Sequence, residues 1–168
     1  MNGLSTRFKQ ILDTTSVCQE PLMSMPTSQI CTQSQFEEQC YLDTCKELCE
    51  IPRPHRKQWE YVYICQSLKH LGKLKEGDKG IGFGCGAEPL PALFAKYGCQ
   101  ILATDMDANA AIAQGWATTG QYLQTKELLN ANKLCDPEQF SQLVTTAVVD
   151  MNNIPTDIGT FRSEEHTS

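Results

Sequence analysis

The stretch Gly80 to Phe94, GIGFGCGAEPLPALF, places four glycines at alternate positions and then turns into an apolar run. A short apolar segment, a glycine turn and a proline-started helix form a strand–turn–helix unit. Such a unit opens a parallel sheet, because its helix must carry the chain back over the sheet. The downstream pattern repeats the alternation. CQILATD reads as a second strand and TTAVVD as a third. Between them ANAAIAQGW, GQYLQTKELL and DPEQFSQLV read as helices, the last with Asp136 as cap and Pro137 in its first turn. The fold class expected is α/β: a Rossmann-like parallel sheet with crossover helices, of which only the first three strands are present.

Upstream, residues 55–71 form the most regular helix, with Tyr61, Ile64, Cys65, Leu68 and Leu71 on one stripe and Gly72 as its stop. Residues 34–49 are expected to form another helix, with Ser34 as N-cap and Glu37 completing a capping box. Residues 1–33 are rich in Ser, Thr, Gln and Pro and read as a poorly ordered leader or loosely packed arm. The division expected is therefore a leader (1–33), an N-terminal helical segment (34–75) and a sheet domain (76–161). The last seven residues, RSEEHTS (162–168), match the translation of a sequencing adapter and are set aside as a scar. On that reading the chain is a fragment whose remaining strands lie beyond Phe161, and the fragment itself is expected to be inactive.

Bulk properties narrow the function classes. The net charge of −6 argues against a general nucleic-acid binder, and the basic run RPHRK reads as a solvated helix start. No apolar run reaches the roughly 18 residues of a membrane span, and the N-terminus lacks a secretory layout, so a cytoplasmic location is expected. Nine cysteines contain no C-x-x-C pair. They read as reduced, core-facing residues, Cys31, Cys40, Cys45 and Cys49 included, and no metal site is expected.

In open parallel sheets ligands bind beyond the carboxyl ends of the strands. Gly82, Gly84 and Gly86 are expected in the first strand-to-helix turn, where the missing Cβ atoms let a ligand approach the backbone. Asp105, at the end of the second strand, suits the two hydroxyls of a ribose. Asp150, at the end of the third, suits an exocyclic adenine amine, with Met151 packed on the purine. Together these describe an adenosine pocket. Two cofactor classes compete for it. A dinucleotide fits the glycine spacing if Ala87 takes the third position, but Glu88 sets a negative charge where a pyrophosphate would lie. S-adenosyl-L-methionine carries no phosphate, and its amino-acid end has an ammonium group.

The run GIGFGCGAEPLPALFAKYGCQILATDMD, with VVDMNNIP after it, resembles the first three motifs of class I S-adenosylmethionine-dependent methyltransferases over roughly residues 55–161. The resemblance implies S-adenosyl-L-methionine as cofactor and methyl transfer to an unidentified acceptor, a small molecule slightly favoured. It implies that Gly84 and Gly86 line the cofactor, that Asp105 holds the ribose, that Asp150 and Met151 frame the adenine, and that Met106 is among the cofactor-binding residues. The family pattern has an acidic residue where Gly82 stands and a glycine where Glu88 stands. Glu88 is then expected to share in holding the methionine end. The helix bearing Trp59 and Glu60 matches a segment that closes over the cofactor in this family, against plain core packing for Trp59. No catalytic base is singled out, since His55 and His70 read as surface residues. The alternatives are an NAD(P)-dependent oxidoreductase and a non-catalytic adenosine-binding module.

Overall fold

A computed structural model describes residues 22–23, 25, 27–107, 123 and 125–166. The helices read from ANAAIAQGW and from the start of GQYLQTKELL lie outside the described residues. At the end of the latter, Lys126–Asn130 forms a 3-10 turn.

The sheet has four parallel strands in the order β3-β2-β1-β4: β1 (Lys79–Phe83), β2 (Gln100–Asp105), β3 (Val144–Val148) and β4 (Ser163–His166). This is the α/β architecture expected, with one strand more than expected. The fourth strand comes from the segment set aside as a scar, and it pairs with β1 from Gly80↔Ser163 to Phe83↔His166. Parallel pairing uses main-chain groups, so the free edge of β1 accepts a polar segment that has no strand pattern of its own. Arg162 prepares the register by donating its backbone N–H to the carbonyl of Lys79 at 2.8 Å.

Alternation along the strands sorts residues to two faces. Ile101, Ala103 and Val144 face the main core with Leu90, Leu93 and Phe94 of α3 (Leu90–Lys96) and Phe140 of α4 (Pro137–Leu143). Each of these side chains larger than that of Ala103 stabilises the fold by about 1.5–3 kcal/mol. The α4 start is as expected: Asp136 Oδ1 accepts from the amides of Glu138 and Gln139. On the same face a Cβ at Gly80 would lie 3.1 Å from Ile101 Cδ1, so that Ile101 would have to give by a few tenths of an ångström. Ile81, Phe83 and Val149 face the other way and are covered by Ile158 and Phe161 of the segment that links β3 to β4.

The N-terminal helices pack as a second layer. The helix α2 (Arg56–His70) is buried on two sides. Tyr61, Ile64, Cys65 and Leu68 join the main core as the stripe predicts, whereas Leu71, beyond the helix end, is 57% exposed. Its other side carries Trp59 and Val62 into a cluster with Met23, Tyr41 and Cys45. Trp59 stacks on Tyr63 at 5.0 Å and donates Nε1–H to Gln35 Oε1 at 2.7 Å. It is packed in the core of the N-terminal cluster. In the described part of residues 1–33 Met23 is buried and its amide donates to the Glu38 carboxylate, while Leu22, Met25 and Ile30 are exposed.

The single helix expected over 34–49 is two pieces, a 3-10 turn (Ser34–Glu37) and α1 (Gln39–Glu47). Glu38 is extended at the break, and Ser34 is the first residue of the 3-10 turn, after Gln33 as its cap, with its hydroxyl paired to Thr32. At the break the Glu38 carboxylate accepts from the amide of Met23, a contact between residues 15 apart in the chain. Among the cysteines, Cys49 departs from the core-facing expectation: it is exposed, just past α1. Burial pushes the Cys45 thiol up to about 11, and burial with the Glu38 hydrogen bond does the same for Cys40. Both stay neutral and behave as small apolar residues. Among the described residues no helix is long and apolar enough to cross a membrane.

Candidate functional site at the carboxyl end of the sheet

The turn between β1 and α3 holds Gly84 and Gly86, with φ of +65° and +51°. L-residues carrying a Cβ strain at such angles, which accounts for glycine at both positions. Gly82 is not in the turn. It lies within β1, paired to Ala103 on one side and Glu165 on the other, and its carbonyl accepts from Thr104 Oγ1 at 2.9 Å. Its role is to build the strand that leads into the turn.

The strand ends bring the other predicted residues to this turn. Asp105 closes β2 and is buried. Its Oδ2 accepts from the amides of Gly86 at 3.1 Å and Leu123 at 2.6 Å, and its Oδ1 from that of Met106 at 2.8 Å. One carboxylate thus ties the glycine turn to the segment leaving β2. The neighbouring half-buried Met106 owes its place to that bond. Met151, just beyond β3, sits with Cε 3.5 Å from where a Gly84 side chain would begin. The thioether therefore packs over the bare face of the turn.

Asp150 is placed differently. It is exposed, and Oδ1 accepts from the amide of Asn152 at 2.8 Å and its Nδ2 at 3.0 Å. That is a turn-closing arrangement, in which a small polar side chain satisfies the backbone that follows it. Its second oxygen has no part in this turn.

Glu88 is the charged residue of the turn, with its side chain only 7% exposed. Oε1 pairs with Lys57 Nζ at 3.1 Å. Lys57 stands in the first turn of α2, whose amino end is brought here because α2 precedes β1 and runs back along it. It also lies 3.5 Å from Glu60 Oε2, which Arg56 holds at 2.6 Å through Oε1. Lys57 is the site residue that sequence reading missed. The available signal was two cations, Arg56 and Lys57, in a helix turn that has no acidic residue. The helix dipole disfavours cations there, so a nearby carboxylate is called for.

Two depressions lie elsewhere. A cleft beneath Gly80 and Gly82, between Leu68, Leu74 and Phe94, has room for about 10 Å³, no more than one water. An open depression of about 540 Å³ lies at the amino-terminal end of the strands, lined by Glu76, Lys96, Gln100, Gln139 and Gln142. Ligands of parallel sheets use the opposite end, so the chemistry argues for the glycine turn over the larger hollow.

Among the described residues no group of three or more His, Cys, Asp or Glu side chains is arranged to hold a metal ion. Compared with protein-family models, with curated proteins and with solved structures, the chain matches none.

Proposed function

We propose that the carboxyl end of this sheet binds S-adenosyl-L-methionine and that the chain serves methyl transfer. The observation that carries this reading is the meeting of three segments at one place: the Gly84–Gly86 turn, the Asp105 carboxylate bonded to the Gly86 amide, and Met151 over Gly84. The donor set suits the cofactor. A carboxylate has about four acceptor positions. Asp105 fills three with amides, and a ribose hydroxyl takes the fourth or displaces one. Buried Glu88 suits a ligand with an ammonium group and repels a pyrophosphate. That charge favours the sulfonium cofactor over a nicotinamide dinucleotide.

When bound, the cofactor supplies an already activated methyl group. The chain's own work is then alignment and exclusion of water. Gly84 and Gly86 present backbone without side chains, Asp105 fixes the ribose side, and Met151 supplies an apolar, adaptable surface for a ring. The methyl acceptor is a small molecule on this reading, and the proposed setting is the cytoplasm.

Calorimetric titration with S-adenosylhomocysteine and with NAD, on the full chain and on Asp105→Ala, tests it. Saturable binding of the former, weakened about tenfold or more by the substitution, is expected. Binding of NAD instead would move the assignment to an oxidoreductase. Cofactor binding with no transfer to any acceptor would leave an adenosine-binding module.

A further inference from the structure

We infer that Lys57 is an internal stand-in for a ligand's ammonium group, seated on Glu88 until the ligand displaces it. The inference rests on the cofactor reading above and adds to it a residue outside the glycine turn that sets access and selectivity. A carboxylate as buried as Glu88 needs a cation beside it, because charge taken out of water without one is strongly disfavoured. The chain supplies that cation from a different element, at 3.1 Å and to one oxygen only. The side chain chosen is a lysine, 30% exposed, on a flexible stem. It has a second carboxylate, Glu60, within 3.5 Å. Glu60 is itself held by Arg56, so it stays in place when Lys57 turns to it.

These features describe an exchange and not a fixed bridge. An incoming ammonium group replaces Lys57 on Glu88, and Lys57 moves onto Glu60 without losing its charge partner. The number of paired charges is the same before and after. A ligand with no ammonium group offers Glu88 no cation in exchange for Lys57. The pair therefore selects for the amino-acid end of the cofactor, and it couples the first turn of α2 to the filling of the site.

The test uses two probes that share adenosine and a thioether, S-adenosylhomocysteine, which has the ammonium group, and methylthioadenosine, which lacks it. Both are titrated into the full chain and into Lys57→Gln, Lys57→Arg and Glu88→Gln. Lys57→Gln is expected to tighten S-adenosylhomocysteine about tenfold and to leave methylthioadenosine within about twofold. Glu88→Gln is expected to weaken S-adenosylhomocysteine about tenfold with the same indifference to methylthioadenosine. Lys57→Arg keeps the seat filled and is expected to bind no more tightly than the parent. If Lys57→Gln fails to fold, the double variant Lys57→Gln/Glu88→Gln removes both charges of the pair and decides: it should bind both probes alike. Parallel changes for both probes would overturn the inference while leaving the cofactor reading intact. No binding of either probe to the parent chain would overturn both.

Discussion

The two ends of α2 each carry a lysine on a carboxylate, and the two pairs are built differently. At the carboxyl end Lys69 Nζ meets both oxygens of Glu47 at 2.8 Å, Tyr97 OH donates to the same carboxylate at 2.5 Å, and the ammonium lies 5.7 Å from the Tyr97 ring centre. That cation is where the helix dipole favours it. It clamps α1, α2 and the end of α3 together. At the amino end Lys57 touches one oxygen of a more deeply buried carboxylate, against the dipole and beside the glycine turn. A fold that needs only a fastener builds the first kind. On the exchange proposed above, the second leaves a donor that a ligand can replace.

Substitutions can break this comparison in graded ways. The largest effect is expected from Trp59→Ala, which empties the cluster between the two ends of α2. A loss of about 3–5 kcal/mol in chemical denaturation is expected, and both lysine pairs should fail together. Next is Glu47→Ala, which leaves Lys69 and Tyr97 without their shared acceptor. These groups are partly exposed, so the loss should be about 1–2 kcal/mol, with the ratio of S-adenosylhomocysteine to methylthioadenosine affinity unchanged. A shift in that ratio would show that the clamp also serves the site. Gly84→Ala forces a side chain to φ +65° and should lower stability by about 1–2 kcal/mol. Its binding loss, for both probes alike, should exceed its effect on melting.

The smallest expected effect is one of pH. Burial pushes the Glu47 carboxyl up, but the hydrogen bonds from Lys69 and Tyr97 outweigh this and hold it below its ordinary value of 4.5. Burial pulls the Lys69 ammonium down, and the Glu47 hydrogen bond more than reverses that, leaving it above its ordinary 10.5. A depressed acid contributes stability that is fully present above its unfolded value and is lost as pH falls through the folded one. A raised base contributes stability present below its unfolded value and lost as pH rises through the folded one. The clamp should therefore hold from about pH 5 to about pH 10 and loosen outside that window. Glu47→Gln should flatten the acid limb of the urea midpoint plotted against pH. An unchanged acid limb would assign that limb to other carboxylates.

What the sequence disclosed was local and periodic. The strand–turn–helix at Gly80, the stripe on α2 up to Leu68 and the Asp136 cap depend on neighbours a few residues apart and form near where the pattern puts them. What it withheld depends on distant partners. Glu38, extended where the helix breaks, bonds to Met23, and Trp59 is core because Gln35 and Tyr63 meet it. Strand β4 forms because β1 offers an open edge, which no side-chain pattern in SEEH announces. Lys57 and Glu88 are an unremarkable cation and anion until the topology of α2 and β1 brings them together. Gly82 and Asp150 show the reverse limit. Spacing put both beside a ligand; the structure adds that Gly82 is strand backbone and that Asp150 Oδ1 closes its own turn.

The central claim is that an adenosine ligand sits against the glycine turn. Amide resonances of the isotope-labelled chain, followed through a titration with S-adenosylhomocysteine, test it most directly. The account predicts saturable shifts centred on Gly84, Gly86 and Met106, abolished in Asp105→Ala, with the Gly86 amide moving most because it now bonds to Asp105. Shifts centred on Glu76, Gln100 and Gln142, or none at all, would contradict it.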